Sequence, residues 1–344
     1  MASHRRPKPP GRTRVTFMGA TAAAAVALTS QAANAAPQPN KGEVKAKVDK
    51  LYEEAASATE KYNGAKEQQD KLQGQVDAVQ DRIARGQDEL NTLRNNLGIV
   101  ASAQYRSGGV DPSLQLLLSG DPDTYLDRAA ALDRVGSRHS DAIDEIQEKR
   151  RALAQQRKEA QGKLTQLAKT REQLGAEKRR IQSKLSSAQK LLNSLTAKER
   201  AEIKREETRA DRAGSTGERP DLGKPAAGSS YGMAAFAIGQ GKIGSPYKYA
   251  TAGPNTFDCS GFTSWSFAQA GRPIPRTSQA QANIGQRIYS QSQLKQGDLV
   301  FFYGDLHHVG FYAGNGQILH SPRTGAVVRY ESINNMPFQF GVRV

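Results

Sequence analysis

The chain has 344 residues, 37% of them hydrophobic, and a formal net charge of +15. That length suits two domains, but the apolar content is too low for one large core, so a compact domain joined to something long, polar and helical is expected. The charge is spread out: +5 before residue 36, +5 over 230–344, where nine Lys/Arg face four Asp/Glu, and the rest along the middle. No block is dense enough for a nucleic-acid surface, which excludes nucleic acid as a partner. The basic balance suits either contact with anionic wall polymer or lipid headgroups, or solubility alone.

Residues 1–35 follow the export pattern: a basic start, the apolar stretch VTFMGATAAAAVALTS, then small residues suited to cleavage after Ala35. A secreted, wall-associated protein is expected, by an export route left open. Over 44–97, Val44, Val48, Leu51, Ala55, Ala58, Tyr62 and Ala65 keep a 4-3 spacing that Leu72, Val76, Val79, Ile83, Leu90, Leu93 and Leu97 continue. A second seam steps by sevens from Ile146 through Leu153, Ala160, Leu167, Leu174, Ile181 and Ala188 to Leu195. These spacings predict a coiled coil over 41–212, folded as an antiparallel helical hairpin. Between the seams, 107–135 has turn residues around an apolar run and reads as short helices capping the hairpin tip. Leu116, Leu117 and Leu118 there either pack on the coil or dock a partner.

Residues 213–230 are rich in Gly, Pro and Ser and read as a linker. The domain after it, 231–344, holds most of the Phe, the single Trp and the single Cys of the chain. MAAFAIGQGKIGSPYKYA reads as a helix ending at a Gly-rich break, and FDCSGFTSWSFAQAG as a second helix with Asp258 near its N-cap and Cys259 in its first turn. The partial positive charge of a helix start favours thiolate over thiol, and its free N–H groups suit an oxyanion. DLVFF reads as a strand, and HHVGFYAG and QILHSP as a hairpin turning at Gly-Asn-Gly. Counted outward from that turn, His308 and His320 fall roughly level, so one imidazole takes the thiol proton while the other orients it. His307 is expected on the opposite face. A buried structural cysteine and a metal-binding histidine pair are the competing readings. The metal reading lacks a carboxylate or second thiol beside the pair, so no metal and no organic cofactor is expected.

The motifs GSPYKYATAGPNTFDCSGF, IPRTSQAQ, KQGDLVFF and HHVGFYAGNGQILHSP, in that order, resemble the NlpC family of papain-like cell-wall peptidases. The resemblance implies an α+β papain-like fold in which the Cys helix packs on a small antiparallel sheet. It implies cysteine peptidase activity on peptidoglycan stem peptides, between γ-D-glutamate and diaminopimelate. Carried over by motif, Cys259 is the nucleophile, His308 the general base and His320 the group that orients it. Tyr247 stands near the oxyanion, Asp258 and Ser260 help hold substrate, and Arg276 and Ser278 line the groove. YATAG departs from the Gly-Gly that family members often carry after the aromatic. The helical part resembles coils fused to such enzymes, which implies either a coil that keeps the enzyme inactive or one that docks on a division-linked FtsE–FtsX-type membrane complex. A cysteine amidase or acyltransferase on the same scaffold, and a non-catalytic wall-binding scaffold protein, are the rival functions.

Overall fold

The structure is a computed structural model, and it describes residues 40–106, 114, 122–215, 220–224 and 226–344. The expected export segment, 1–35, lies outside the described residues. Helix α1 runs Lys41–Arg106 and α2 runs Pro122–Ser194. Residues 122–135 are therefore the opening turns of α2 rather than separate short helices; 107–113 and 115–121 lie outside the described residues. The two helices pack against each other antiparallel. Lys163 of α2 reaches Gln75, Arg157 reaches Gln87 and Lys149 reaches Glu89, so the partner number rises in α1 as it falls in α2. Both apolar seams are used. Val44, Val48, Ala55, Ala58, Leu72, Val76, Val79 and Leu90 are buried on α1, as is every member of the second seam from Leu153 to Leu195.

The chain breaks at Leu195–Thr196 and restarts as α3, Ala197–Ser215. Thr196 and Glu199 form a reciprocal capping box there, each side chain accepting a hydrogen bond from the other's backbone N–H. This bend turns α3 away from the line of α2 and onto the C-terminal domain.

That domain opens with α4 (Ser230–Gln240) and α5 (Cys259–Gln269), followed by the short α6 (Ser278–Gln281). Six strands follow: β1 Gln286–Ile288, β2 Leu299–Phe302, β3 His308–Gly314, β4 Gln317–His320, β5 Arg329–Ser332 and β6 Phe338–Arg343. They form one antiparallel sheet in the order β1-β6-β2-β3-β4-β5. Alternation assigns the faces. Leu299, Phe301, Val309, Phe311 and Leu319 meet Phe236 of α4 and Phe262 and Phe267 of α5. Val300, Phe302, Tyr312 and Ile318 build a second cluster with Ile333 on the other face. Strand β2 is buried on both faces, which is why LVFF is apolar at every position. Phe311 is the centre of the first layer, edge-on to Phe236 and Phe262 and stacked on Phe267. This layer fixes the start of α5 against the start of β3. The fold is the α+β arrangement expected from the sequence, with the Cys helix α5 packed on a small antiparallel sheet, preceded by the antiparallel helix pair.

Candidate active site

Asp258 is the N-cap of α5, and its carboxylate accepts the Gly261 N–H at 2.7 Å. Glycine is required at 261 because a Cβ there would lie 2.2 Å from the Thr251 carbonyl oxygen. The loop carrying Tyr247 thus lies directly against the helix start, pinned by the Asp258 N–H to Thr251 and the Lys248 N–H to Phe257. Asp258 is fully buried. Arg276 neutralises it with two hydrogen bonds, Nη1 to Oδ1 at 3.0 Å and Nη2 to Oδ2 at 2.6 Å, and donates a third to the Ser260 hydroxyl. Tyr247, Asp258, Cys259, Ser260, Arg276 and Ser278 are therefore brought to one place.

Cys259 is buried, with Sγ 3.5 Å from the His307 carbonyl oxygen and a backbone hydrogen bond from Val309. The sulfur thus lies against the backbone on both sides of His308. The His308 ring lies in a buried relay: its Nε2 is 2.8 Å from His320 Nδ1, and His320 Nε2 is 3.2 Å from Glu331 Oε2. Glu331 is held in turn by Arg329 and Asn335. Burial works against the Glu331 charge, yet the hydrogen bond from His320 and the flanking cations hold its carboxyl well below the usual range. The network fixes the tautomers for the state in which both rings are neutral. A carboxylate can only accept, so His320 Nε2 carries its proton and Nδ1 accepts. His308 Nε2 is then the donor, which leaves His308 Nδ1 with a free lone pair. Glu331 is a member of this relay that the sequence reading missed.

The two histidines are not level, as the turn count had them. Leu319 pairs with Phe311, so His320 faces Gly310 and reaches His308 diagonally, two residues along. A register shift between Tyr312 and Gly314 puts both on the same face; an unbroken ladder from Gly314 and Gln317 would set His320 opposite Phe311, on the other face. Gly310 makes the diagonal possible, because a Cβ there would lie 2.8 Å from His320 Cβ. Gly310→Ala is expected to displace His320 and lower any turnover that depends on this pair by about 10- to 100-fold. Hydrolysis rates beside thermal unfolding check this; a variant of unchanged rate and unchanged stability contradicts it. His307 also departs from expectation. It precedes the strand, after Leu306 at φ 56°, so strand alternation does not govern it. It hydrogen-bonds Asp305, stacks on Tyr303 and lines the same cavity as His308.

A second missed residue comes from the other end of the sequence. Helix α1 lies over the site and buries three polar side chains, Thr59, Glu60 and Asn63. The Glu60 carboxylate accepts from the Ser278 N–H at 2.7 Å and from the Ser260 hydroxyl at 2.6 Å, and it lies 3.8 Å from Cys259 Sγ. Asn63 donates to Asp258 at 3.1 Å, Thr59 hydrogen-bonds Tyr247, and Ser57 donates to Asp305 at 2.8 Å. A Cβ on Gly64 would sit 3.6 Å from Thr277 Cγ2, at van der Waals contact, so α1 and the loop before α6 lie close there. A signal was present in AASATEKYNGA: its outward face is small and weakly charged, unlike the rest of the coil.

This cover reverses the electrostatics expected of the thiol. Burial, then the Glu60 and Asp258 carboxylates, push the Cys259 thiol well above its ordinary value, against the helix N-terminus. Burial and then His320 push His308 well below its own. Thiol and imidazole are both neutral in this state. Glu60 is raised to about 7, by burial first and by Asp258 second.

The NlpC/P60 family model matches residues 244–342. A probable endopeptidase of Corynebacterium glutamicum is 45% identical over 115 residues, which cover 33% of this chain and 54% of that protein. The probable endopeptidase p60 of Listeria welshimeri is 50% identical over 101 residues, 29% of this chain and 19% of that one. The crystal structure of the NlpC/p60 domain of the peptidoglycan hydrolase SagA aligns at 35% identity with a TM-score of 0.31, over 33% of this chain and 98% of that chain. The chain thus spans about half the length of the Corynebacterium relative. Among its own residues, 244–342 form an NlpC/P60 domain.

Proposed function

We propose that this chain is an exported cysteine peptidase that hydrolyses peptidoglycan stem peptides, between γ-D-glutamate and diaminopimelate, and that the structure is its closed form. The observation that carries the reading is the thiol of Cys259 at a helix start, against the His308 backbone, with the His308 ring in a directional relay to Glu331. In the open form His308 Nδ1 takes the thiol proton and Sγ attacks the amide carbonyl. The oxyanion is stabilised by N–H groups at the start of α5 and by the Tyr247 hydroxyl. The intermediate collapses to a thioester and the amine leaves with the proton from His308. Water, deprotonated by the same nitrogen, then releases the acid and restores the thiol. Ser260 and Ser278 hold the acyl side of the substrate, and Arg276 fixes Asp258 and Ser260 beneath it. Glu60 occupies those donors in the closed form, which supports regulation by the helix pair.

Mass spectrometry of diaminopimelate-type peptidoglycan treated with the full chain, with residues 225–344 and with their Cys259→Ala versions tests this. New γ-glutamyl carboxyl and diaminopimelate amine ends, made by 225–344 and not by its alanine version, are expected. A folded 225–344 that cleaves nothing overturns the peptidase. At the far end of the helix pair Ile99, Tyr105, Leu126 and Val135 are exposed, which supports a membrane-complex partner of the FtsE–FtsX type there. Deleting 107–135 without any change in localisation or activity in cells overturns that partner.

A further inference from the structure

The leaving amine takes its proton from His308, and the cavity beside His308 and His320 extends toward β4 and β5, which makes it the candidate course for the amine-side residue of the substrate. The side chains standing there are cationic. Arg329 of β5 is in register with His320, and Arg323 lies on the loop between those strands. Both line a cavity of about 680 Å³ that also takes in His307, His308, His320 and Glu331. Arg329 is mostly buried and gives Nε and Nη2 to Glu331, which fixes the guanidinium relative to the His320 ring. Its Nη1 lies 2.6 Å from Asp211 Oδ1 of α3. Arg323 places Nη2 2.8 Å from Glu207 of α3 and 3.4 Å from Asp49 of α1, over the Tyr52 ring.

These three carboxylates, Asp49, Glu207 and Asp211, all belong to the helical region and none to the C-terminal domain. The pattern matches the other end of the site, where Glu60 from α1 takes the donors of Ser260 and Ser278. The helices thus put carboxylates against the donor groups on both sides of the nucleophile. Once they leave, two guanidiniums, one already oriented by Glu331, face the path of the leaving group. A planar fork of this kind takes up a carboxylate in a fixed orientation.

We infer that Arg323 and Arg329 form a recognition site for a free carboxylate on the amine-side residue of the substrate, and that Asp211, Glu207 and Asp49 occupy it in the closed form. The inference rests on the peptidase reading and assigns the half of the groove that the family motifs leave open. It makes the enzyme selective for a residue that keeps an acid group beyond the cleaved bond, over the same residue with that group amidated.

The test uses the full chain carrying Glu60→Ala and two peptides, γ-D-glutamyl-diaminopimelate with its diaminopimelate carboxylates free, and the same peptide with them as primary amides. The free acid is expected to be cleaved with kcat/KM about 10- to 100-fold higher. Arg323→Gln and Arg329→Lys, made separately in that chain, are expected to bring the ratio toward one, chiefly by slowing the free acid. The ratio is the measure because Arg329 also braces Glu331. An equal loss on both peptides assigns Arg329 to positioning His320 and removes it from the site. A parent ratio of one, or a ratio unchanged in both variants, overturns the inference while leaving the peptidase standing. Cleavage of neither peptide by this chain or by residues 225–344 overturns the peptidase reading and this site with it.

Discussion

Replacing Glu60 by alanine in the full chain is expected to raise its rate of stem-peptide cleavage by about 10- to 100-fold. The Glu60 side chain holds the Ser278 N–H and the Ser260 hydroxyl in a site that excludes water, and at about 0.5–1.5 kcal/mol each the two hydrogen bonds together contribute about 1–3 kcal/mol. Loss of that much differential affinity shifts a closed population toward the open one by the stated factor. A substrate-free readout is alkylation of Cys259. The buried, neutral thiol of the wild type should react slowly and that of the variant faster. Equal alkylation and equal cleavage rates would remove Glu60 from any role in closure.

The same residue gives closure a pH dependence of defined sign. Its pKa is raised from 4.5 to about 7 in the closed form, by burial and then by Asp258. A raised pKa means the closed form prefers the protonated acid. This contribution is therefore fully present below about 4.5 and is lost as pH rises through about 7, where closure weakens by roughly 100-fold. Ser260 and Ser278 donors and the Arg276 charge oppose the rise without cancelling it, while Tyr247 and the Cys259 thiol face the carboxyl uncharged. Glu60→Gln resembles the protonated acid and should stay closed throughout. The rate of the wild type divided by that of Glu60→Gln should climb between pH 5 and 8; a flat ratio contradicts the assignment.

Cys259→Ala and His308→Ala are each expected to lower hydrolysis at least about 1,000-fold in the segment 225–344. The covalent route needs both the sulfur and the imidazole, and what remains is catalysis by binding and oxyanion donors alone. His320→Ala should cost less, about 10- to 100-fold, since it frees the ring orientation of His308 without removing the base. Glu331→Gln removes the charge that fixes the tautomers and should behave like His320→Ala. Digestion rates with matched unfolding temperatures separate these from simple destabilisation. A His308 variant that cleaves at the wild-type rate would move the base elsewhere.

The parts of this architecture that depend on local periodicity were readable from the sequence. The seven-residue steps from Leu153 to Leu195 are buried as their spacing requires, and Gly-Asn-Gly turns β3 into β4 with Asn315 and Gly316 at positive φ. Asp258 as the cap of α5 followed from its place before a helical pattern. What was not readable depended on register or on distance along the chain. The diagonal of His308 and His320 rests on one irregularity in the ladder, and Glu331 enters from the next strand. Glu60 meets Ser260 and Ser278 across roughly 200 residues, and no periodicity links them. The thiol chemistry expected from the helix start alone is overridden because that start is covered by a carboxylate from another element.

Under the proposed regulation, helix α1 would act as a lever. Lys41, at its first turn, is tied to Glu202 and Glu206 of α3, while its last residue, Arg106, stands 65 positions further on. At about 1.5 Å per residue, Glu60 sits about 29 Å from the tethered end and the tip about 98 Å from it. A sideways load at the tip therefore acts on Glu60 with a mechanical advantage of about three, and a swing of about 10 Å there lifts the carboxylate about 3 Å, enough to part it from its donors. In that regulation the length of the helix would set how small a pull opens the site.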